Sequence, residues 1–352
     1  MVSFYGLKGQ EEIIRTLQVH LSSGKVPHAY LFTGPAGSGR STTARILALS
    51  LLCLQPDGTK ACGTCPSCKM MQQGTHPDFF AVGTKEDPIL DEDAREIDVD
   101  RIRKLIAAMQ EKPLISSRRF CLMAGAERMN KQAQNCLLKL FEEPPENSVI
   151  TLISTGQPAL LDTVVSRALI LEFKRLPVHL MEELLRPEAN GDENLLMTAI
   201  AYADGIPGKG FAFLKQQDLH DVRDLAFKLW TDLVKGDPRE MVNQSRSLEK
   251  LGKEKKQTLE ALLDALAVIC RDAMVYAGMQ DDSLLINRDK KDMIIKYLPK
   301  IRPASMARAV ERTEKARHEL GLQGSTPLVM EMLLADLKTL LSSSGKTASG
   351  YG

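Results

Sequence analysis

The chain has 352 residues, 43% of them apolar and 26% charged, the composition of a globular protein of two or three domains. Lys and Arg number 46 against 45 Asp and Glu, a net charge of +1, so overall charge does not mark a dedicated nucleic-acid binder and any DNA contact would be a local patch. The longest apolar run, residues 46–54, is broken by Ser50 and is too short to cross a bilayer. The start, Met1-Val2-Ser3-Phe4-Tyr5-Gly6, lacks the basic-then-apolar order of a signal peptide. A cytoplasmic location is expected.

In chain order, five short apolar runs have the length of buried strands: Ala29-Tyr30-Leu31-Phe32, Phe79-Phe80-Ala81-Val82, Phe120-Cys121-Leu122-Met123, Val149-Ile150-Thr151-Leu152-Ile153 and Ala168-Leu169-Ile170-Leu171. Helical patterns over 42–53, 99–110 and 132–141 fall between them. This alternation predicts an α/β fold with a parallel sheet and helices on both faces. The acidic stretch 86–100 reads as a solvated loop and helix start. After Arg175 the strand signals stop. Residues 178–215 read as short helices with a Gly-rich turn at Gly205-Ile206-Pro207-Gly208, and residues 218–342 read as helical throughout. The small, polar segment 343–352 is expected to be a mobile tail.

Gly34-Pro35-Ala36-Gly37-Ser38-Gly39-Arg40-Ser41 follows the first strand and opens a helix. It is a phosphate-binding loop with arginine in place of lysine. Glycines let consecutive amide N–H groups converge on phosphate oxygens, and the helix N-terminus adds positive potential. The candidate nucleotide contacts are Gly34, Gly37, Gly39, Arg40, Ser41 and Thr42, with the Ser41 hydroxyl placed for magnesium. Arg40 keeps the charge but not the compact shape of lysine, so ATP or ADP binding and a purely structural loop both stay open. Hydrolysis needs an acid at the end of a neighbouring strand to hold magnesium, and usually a second to polarise water. The strand 120–123 runs into Ala124 and Gly125, which can do neither, and Glu127 lies beyond the strand end and is disfavoured as a displaced substitute.

The seven cysteines are unevenly spread. Cys53, Cys62, Cys65 and Cys68 form an excursion between the loop's helix and the second strand, while Cys121, Cys136 and Cys270 are scattered among apolar neighbours. Two C-x-x-C steps sharing Cys65, with one upstream cysteine, can offer four thiolates to a structural Zn²⁺. Spare thiols and an iron–sulfur cluster are the alternatives. A redox pair is disfavoured because its thiol should open a helix, whereas these cysteines read as a loop.

Together these parts resemble the clamp-loader branch of the AAA+ ATPases. The resemblance rests on His28-Ala29-Tyr30-Leu31-Phe32, the four-cysteine spacing, Asn135-Cys136-Leu137-Leu138-Lys139-Leu140-Phe141-Glu142-Glu143-Pro144-Pro145, and Ser166-Arg167-Ala168 where the family has Ser-Arg-Cys. It covers roughly residues 1–215. It implies an AAA+ domain over 1–174 with the zinc insertion at 53–68, a helical lid over 175–217 and a helical collar over 218–342. It also implies assembly with tau/gamma and delta subunits of bacterial DNA polymerase III, acting on a sliding clamp and primer-template DNA. Arg40, Ala124 and Gly125 place the chain with the family's non-hydrolysing stator rather than its ATP-hydrolysing tau/gamma motor. In such a stator Arg167 resembles an arginine finger, catalytic in trans at the neighbour's ATP; the alternative is an ordinary salt-bridged arginine. Thr155 matches the family's first sensor and Lys209, approximately, its second. An autonomous AAA+ ATPase and a nucleotide-sensing module unconnected to replication are the competing functions.

Overall fold

The computed structural model of the chain describes residues 7–84, 96–155, 160–215, 217–235, 256–301, 303–321 and 326–341. The acidic residues 86–95 and the tail 343–352 lie outside these described residues. The fold divides into two compact units, Met1–Leu184 with Gly205–Gly208, and Leu185–Asp204 with Lys209–Gly352. The segment expected as a lid, 175–217, contributes to both.

The first unit is built on five parallel strands, β1 (Ala29–Thr33), β2 (Phe79–Val82), β3 (Arg119–Ala124), β4 (Ser148–Ser154) and β5 (Leu169–Glu172), in the order β2-β3-β4-β1-β5. β1 and β4 are buried at every position. Strands covered on both faces need apolar residues on both, which explains the unbroken runs in the sequence. Tyr30, Phe32, Phe120 and Val149 form one face's core with Leu17 of α1 (Glu11–Ser23) and Leu47 of α2 (Arg40–Leu52). Leu31, Cys121, Met123 and Ile150 form the other with helices α4 (Val99–Gln110) and α5 (Lys131–Glu142). Side chains of a strand alternate between faces, so neighbouring residues feed different cores. Asp98 and Asn130 cap α4 and α5 by accepting the N–H of Arg101 and Ala133, at 2.9 and 2.8 Å.

Three further helices complete this unit's order: α3 (Pro66–Gln73), inside the cysteine excursion, α6 (Asp162–Val165), and α7 (Val178–Leu185) after β5. The predicted strands and helices agree with the structure to within about two residues, and helices cover both faces. The sequence reading did not anticipate α1 or α3.

The second unit is all helical: α8 (Glu193–Ala203), α9 (Pro207–Lys215) from Lys209 onward, α10 (Gln217–Lys235), α11 (Lys256–Met279), α12 (Lys291–Tyr297), α13 (Pro303–Gly321) and α14 (Thr326–Leu341). Its core packs Trp230 edge-on against Tyr297, with Leu262, Leu266, Met306 and Leu333 around them. The buried Asp272 carboxylate accepts the N–H groups of Ile286 and Asn287 at 3.0 and 2.7 Å, fixing the turn before α12. No helix among the described residues is long and apolar enough to cross a membrane.

Candidate functional site

The phosphate loop sits between β1 and α2, at the C-terminal edge of the sheet. Gly34, Gly37 and Gly39 have φ of 132°, 86° and 98°, a region that side chains rarely adopt. A Cβ on Gly34 would stand 2.4 Å from the Phe173 carbonyl oxygen, so this glycine is demanded by space as well as by dihedral. Ser41 and Thr42 are exposed at the start of α2.

Arg40 is not held out toward solvent. It is buried, and its guanidinium donates to the carbonyl of Ser154 at the end of β4. Burial lowers its pKa, with the carboxylate of Glu127 opposing that shift. Glu127 lies in a short 3₁₀ turn, Ala126–Arg128, and accepts the Thr155 hydroxyl at 3.0 Å. Its second oxygen is buried without a hydrogen-bond partner. The Glu127 carboxylate therefore acts on Thr155 and Arg40 together. The buried hydroxyl of Ser38 likewise has no partner among the described residues.

The loop is also tied from outside. The Gly208 N–H donates to the Gly37 carbonyl at 2.9 Å, and a Cβ on Gly208 would lie 2.8 Å from Gly37 Cα. Where a hydrolytic site would place acids, at the end of β3, an arginine lies across the backbone. Arg128 donates to the carbonyls of Gly83 and Ala124 at 3.0 and 3.1 Å, and a Cβ on Gly125 would meet Arg128 Nε at 2.4 Å. Lys209, the approximate second-sensor match, pairs with Asp264 at 3.7 Å.

The four-cysteine excursion is a second, separate constellation. α2 ends at Leu52, and Cys53 follows as its C-cap. A tight turn with antiparallel bonds between Asp57 and Lys60 carries Gly58 at φ 60°. Cys65 caps α3, accepting the Cys68 N–H, and Pro66 occupies the first turn where no N–H is needed. The C-x-x-C step at 65–68 thus does open a helix, which corrects the expectation of a loop and removes that argument against redox chemistry. The sulfurs decide the matter differently. All four lie within 4.8 Å of one another, with Cys53–Cys62, Cys53–Cys65 and Cys62–Cys68 at 3.6, 3.9 and 4.0 Å. Four sulfurs about 2.3 Å from one tetrahedral ion would stand at about this separation. The N–H groups of Thr64 and Cys65, with the Thr64 hydroxyl, draw the Cys62 thiol down to about 6, while burial pushes Cys68 up. This four-thiol cluster can hold a metal ion.

A polar cluster anchors the module. The hydroxyls of Ser67 and Ser116 both donate to the Leu52 carbonyl, at 2.6 and 2.7 Å. With both hydroxyl protons so used, the His76 Nε2–H must donate to them, at 2.9 and 3.2 Å, while Nδ1 accepts the Asp78 N–H at 3.0 Å. The fully buried Asp78 carboxylate accepts the N–H groups of Leu114, Ile115 and Ser116 at 2.7, 2.8 and 2.9 Å.

The remaining predicted site residue, Arg167, stands on the surface just after α6. Its side chain is 37% exposed, donating to Glu142 Oε1 at 2.9 Å and to the Thr163 carbonyl at 3.1 Å. The structure thus brings together Arg40, Glu127 and Thr155, groups the four cysteines at a second location, and leaves Arg167 outward-facing. Arg128, Asp78 and Glu142 were not singled out by sequence. Only the chain stop at Glu142-Glu143-Pro144-Pro145 gave a signal for the last.

A family model described as "DNA polymerase III, delta subunit" matches residues 9–177. The chain is 39% identical over 140 residues to the DNA polymerase III subunit delta' of Pseudomonas aeruginosa, covering 40% of this chain and 41% of that one. It is 30% identical over 283 residues to subunit gamma/tau of Mycobacterium tuberculosis, covering 79% and 45%. It is also 31% identical to the delta' subunit of Bacillus subtilis, covering 50% and 51%. The chain spans about half the length of the curated relatives it matches. A gamma subunit-related protein of Thermotoga maritima aligns over 95% of this chain, with a TM-score of 0.43 and 17% identity.

Proposed function

We propose, from the match of residues 9–177 to a family model described as "DNA polymerase III, delta subunit", that the chain is a delta-prime-like stator of a clamp loader. In this reading it assists ATP-driven loading of a sliding clamp onto primed DNA, alongside tau/gamma and delta subunits, in the cytoplasm. It contributes no ATP hydrolysis of its own. One observation carries the reading: the domain whose strand-end acid position is filled by Arg128 also holds Arg167 free of the core, on its surface. A chain that lacks a magnesium ligand can still lend a cation.

Arg167 acts in trans. A guanidinium delivered to a transferring phosphoryl group stabilises charge that develops in the transition state, an effect worth about 10³–10⁵ in rate. At the chain's own loop, Gly34, Gly37, Gly39, Arg40, Ser41 and Thr42 keep the shape of a phosphate cradle without its working parts. Arg40 is spent on Ser154, and Glu127 places a negative charge beside it, where a phosphate would be repelled. The cysteines Cys53, Cys62, Cys65 and Cys68 hold structural zinc. Four thiolates leave no open position for chemistry, so the ion stiffens the insertion.

The test is Arg167→Ala in a loader reconstituted with tau/gamma and delta subunits. Assembly should survive, and clamp- and DNA-stimulated ATP turnover at the site beside this chain should fall by about 10³-fold. Undiminished turnover refutes the trans role. A second reading is favoured by the longer gamma/tau alignment, 79% of this chain against 40% for the first delta' relative: a tau/gamma-type motor. It requires the purified chain alone to hydrolyse ATP.

A further inference from the structure

α5 does more to the Arg167 region than pack against it. At its first turn the Gln134 side chain accepts the Leu161 N–H at 2.7 Å, fixing where α6 begins. At its last residue Glu142 accepts the Arg167 guanidinium at 2.9 Å. The helix cannot run on, because Pro144 and Pro145 follow. The stop therefore sets the place of the Glu142 carboxylate, and the carboxylate sets the place of the guanidinium. Thr163 adds a third constraint, its carbonyl accepting the other guanidinium nitrogen at 3.1 Å.

From this we infer that Glu142 is a positioning residue for Arg167, narrowing the rotamers of an exposed side chain so that its guanidinium is presented at the surface to a neighbour's nucleotide. The inference rests on the trans role proposed for Arg167 and adds the residue that prepares it. Both partners are exposed, Arg167 at 37% and Glu142 at 53%. In water such a pair is weak. It biases the rotamers of Arg167 without locking them, and a phosphoryl oxygen, itself an anion, can take over the guanidinium as the carboxylate lets go. A buried pair would hold the arginine back, whereas an exposed one sets its direction and yields.

The experiment is ATP turnover by the reconstituted loader carrying Glu142→Ala, Glu142→Gln, Arg167→Ala or the double variant. Removing the carboxylate should lower the turnover rate at saturating ATP roughly two- to five-fold, the strength of an exposed pair, with KM for ATP unchanged. Glu142→Gln, which keeps an acceptor oxygen but no charge, should fall between. Salt screens the pair, so the ratio of wild-type to Glu142→Ala turnover should approach one as ionic strength rises, a response that lost packing would not give. The double variant should match Arg167→Ala. If Glu142→Ala turns over as fast as wild type or faster, or if the double variant falls below Arg167→Ala, positioning by Glu142 is overturned. If Arg167→Ala itself has no effect, the trans role fails first, and the two failures are told apart.

Discussion

Asp78→Asn is the sharpest probe of how the cysteine module is held to the sheet. The carboxylate is fully buried and serves three backbone N–H groups, with Arg119 Nε 3.9 Å away and itself 3% exposed. Asparagine offers one acceptor oxygen and turns an NH₂ toward what was an accepting contact. At least one amide among 114–116 is then left facing a donor, at a cost of about 1–3 kcal/mol. Arg119 loses one of its two nearby carboxylates, Glu111 remaining 3.3 Å from Nη2, so the cost of a fully broken buried pair, about 3–5 kcal/mol, is an upper limit. Arg119 keeps its bonds to the Ala108 and Lys112 carbonyls, so the total should stay near about 3–5 kcal/mol rather than the sum. For a unit of this size that corresponds to a fall in Tm of about 6–20 °C, read by calorimetry on the full chain. The pH dependence gives a second check. Burial alone would raise the Asp78 pKa, but the N–H groups of Ser116, Leu114 and Ile115 outweigh it and hold the group below its ordinary 3.8. A depressed carboxylate contributes stability that is complete above the unfolded value and lost as pH falls through the folded one. The variant should therefore lose less than the wild type between neutral pH and pH about 3. A Tm within about 2 °C of wild type, a drop of no more than about 1 kcal/mol, or an unchanged acid limb would refute the argument.

Two further outcomes are expected. The purified chain should hold about one zinc ion, and chelation should raise amide exchange over residues 54–64 while α3, pinned through Ser67 and His76, stays protected; a metal-free chain with the same exchange pattern would remove the metal site. Gly208→Ala puts a methyl group 2.8 Å from Gly37 Cα, and overpacking of this kind should cost about 1–3 kcal/mol in urea unfolding. A gain in stability, as helix propensity alone would give, would show that the loop is not tied there.

Much of the first unit was legible because buried parallel strands announce themselves as apolar runs, and β1 and β4 carry little else. α4 was readable from its amphipathic spacing. α1 went unread although Glu11 and Glu12 in its first turn and Gly24 at its C-cap mark its ends. α3 was obscured by its own chemistry: Cys65 is both a metal-ligand candidate and a helix cap, and its sulfur was read only as the first. The phosphate loop and the four cysteines are local in sequence, so spacing revealed them. Arg128 over Gly125, Glu127 on Thr155 and Glu142 on Arg167 are not local in the same sense. The last two, and the bond from Arg128 to the Gly83 carbonyl, depend on how two segments meet after folding, and neither composition nor periodicity carries that information.

The arginine lying over the end of β3 stands in the way of any carboxylate placed there. A side chain at 125 would meet Arg128 Nε at 2.4 Å and would have to adopt a φ of 69°, so Arg128 must shift before an acid there could hold a cation. Arg128 would have to leave first, abandoning the two carbonyls it now satisfies. An acid at 125 would therefore come with a strained backbone and with two carbonyls left to find other donors.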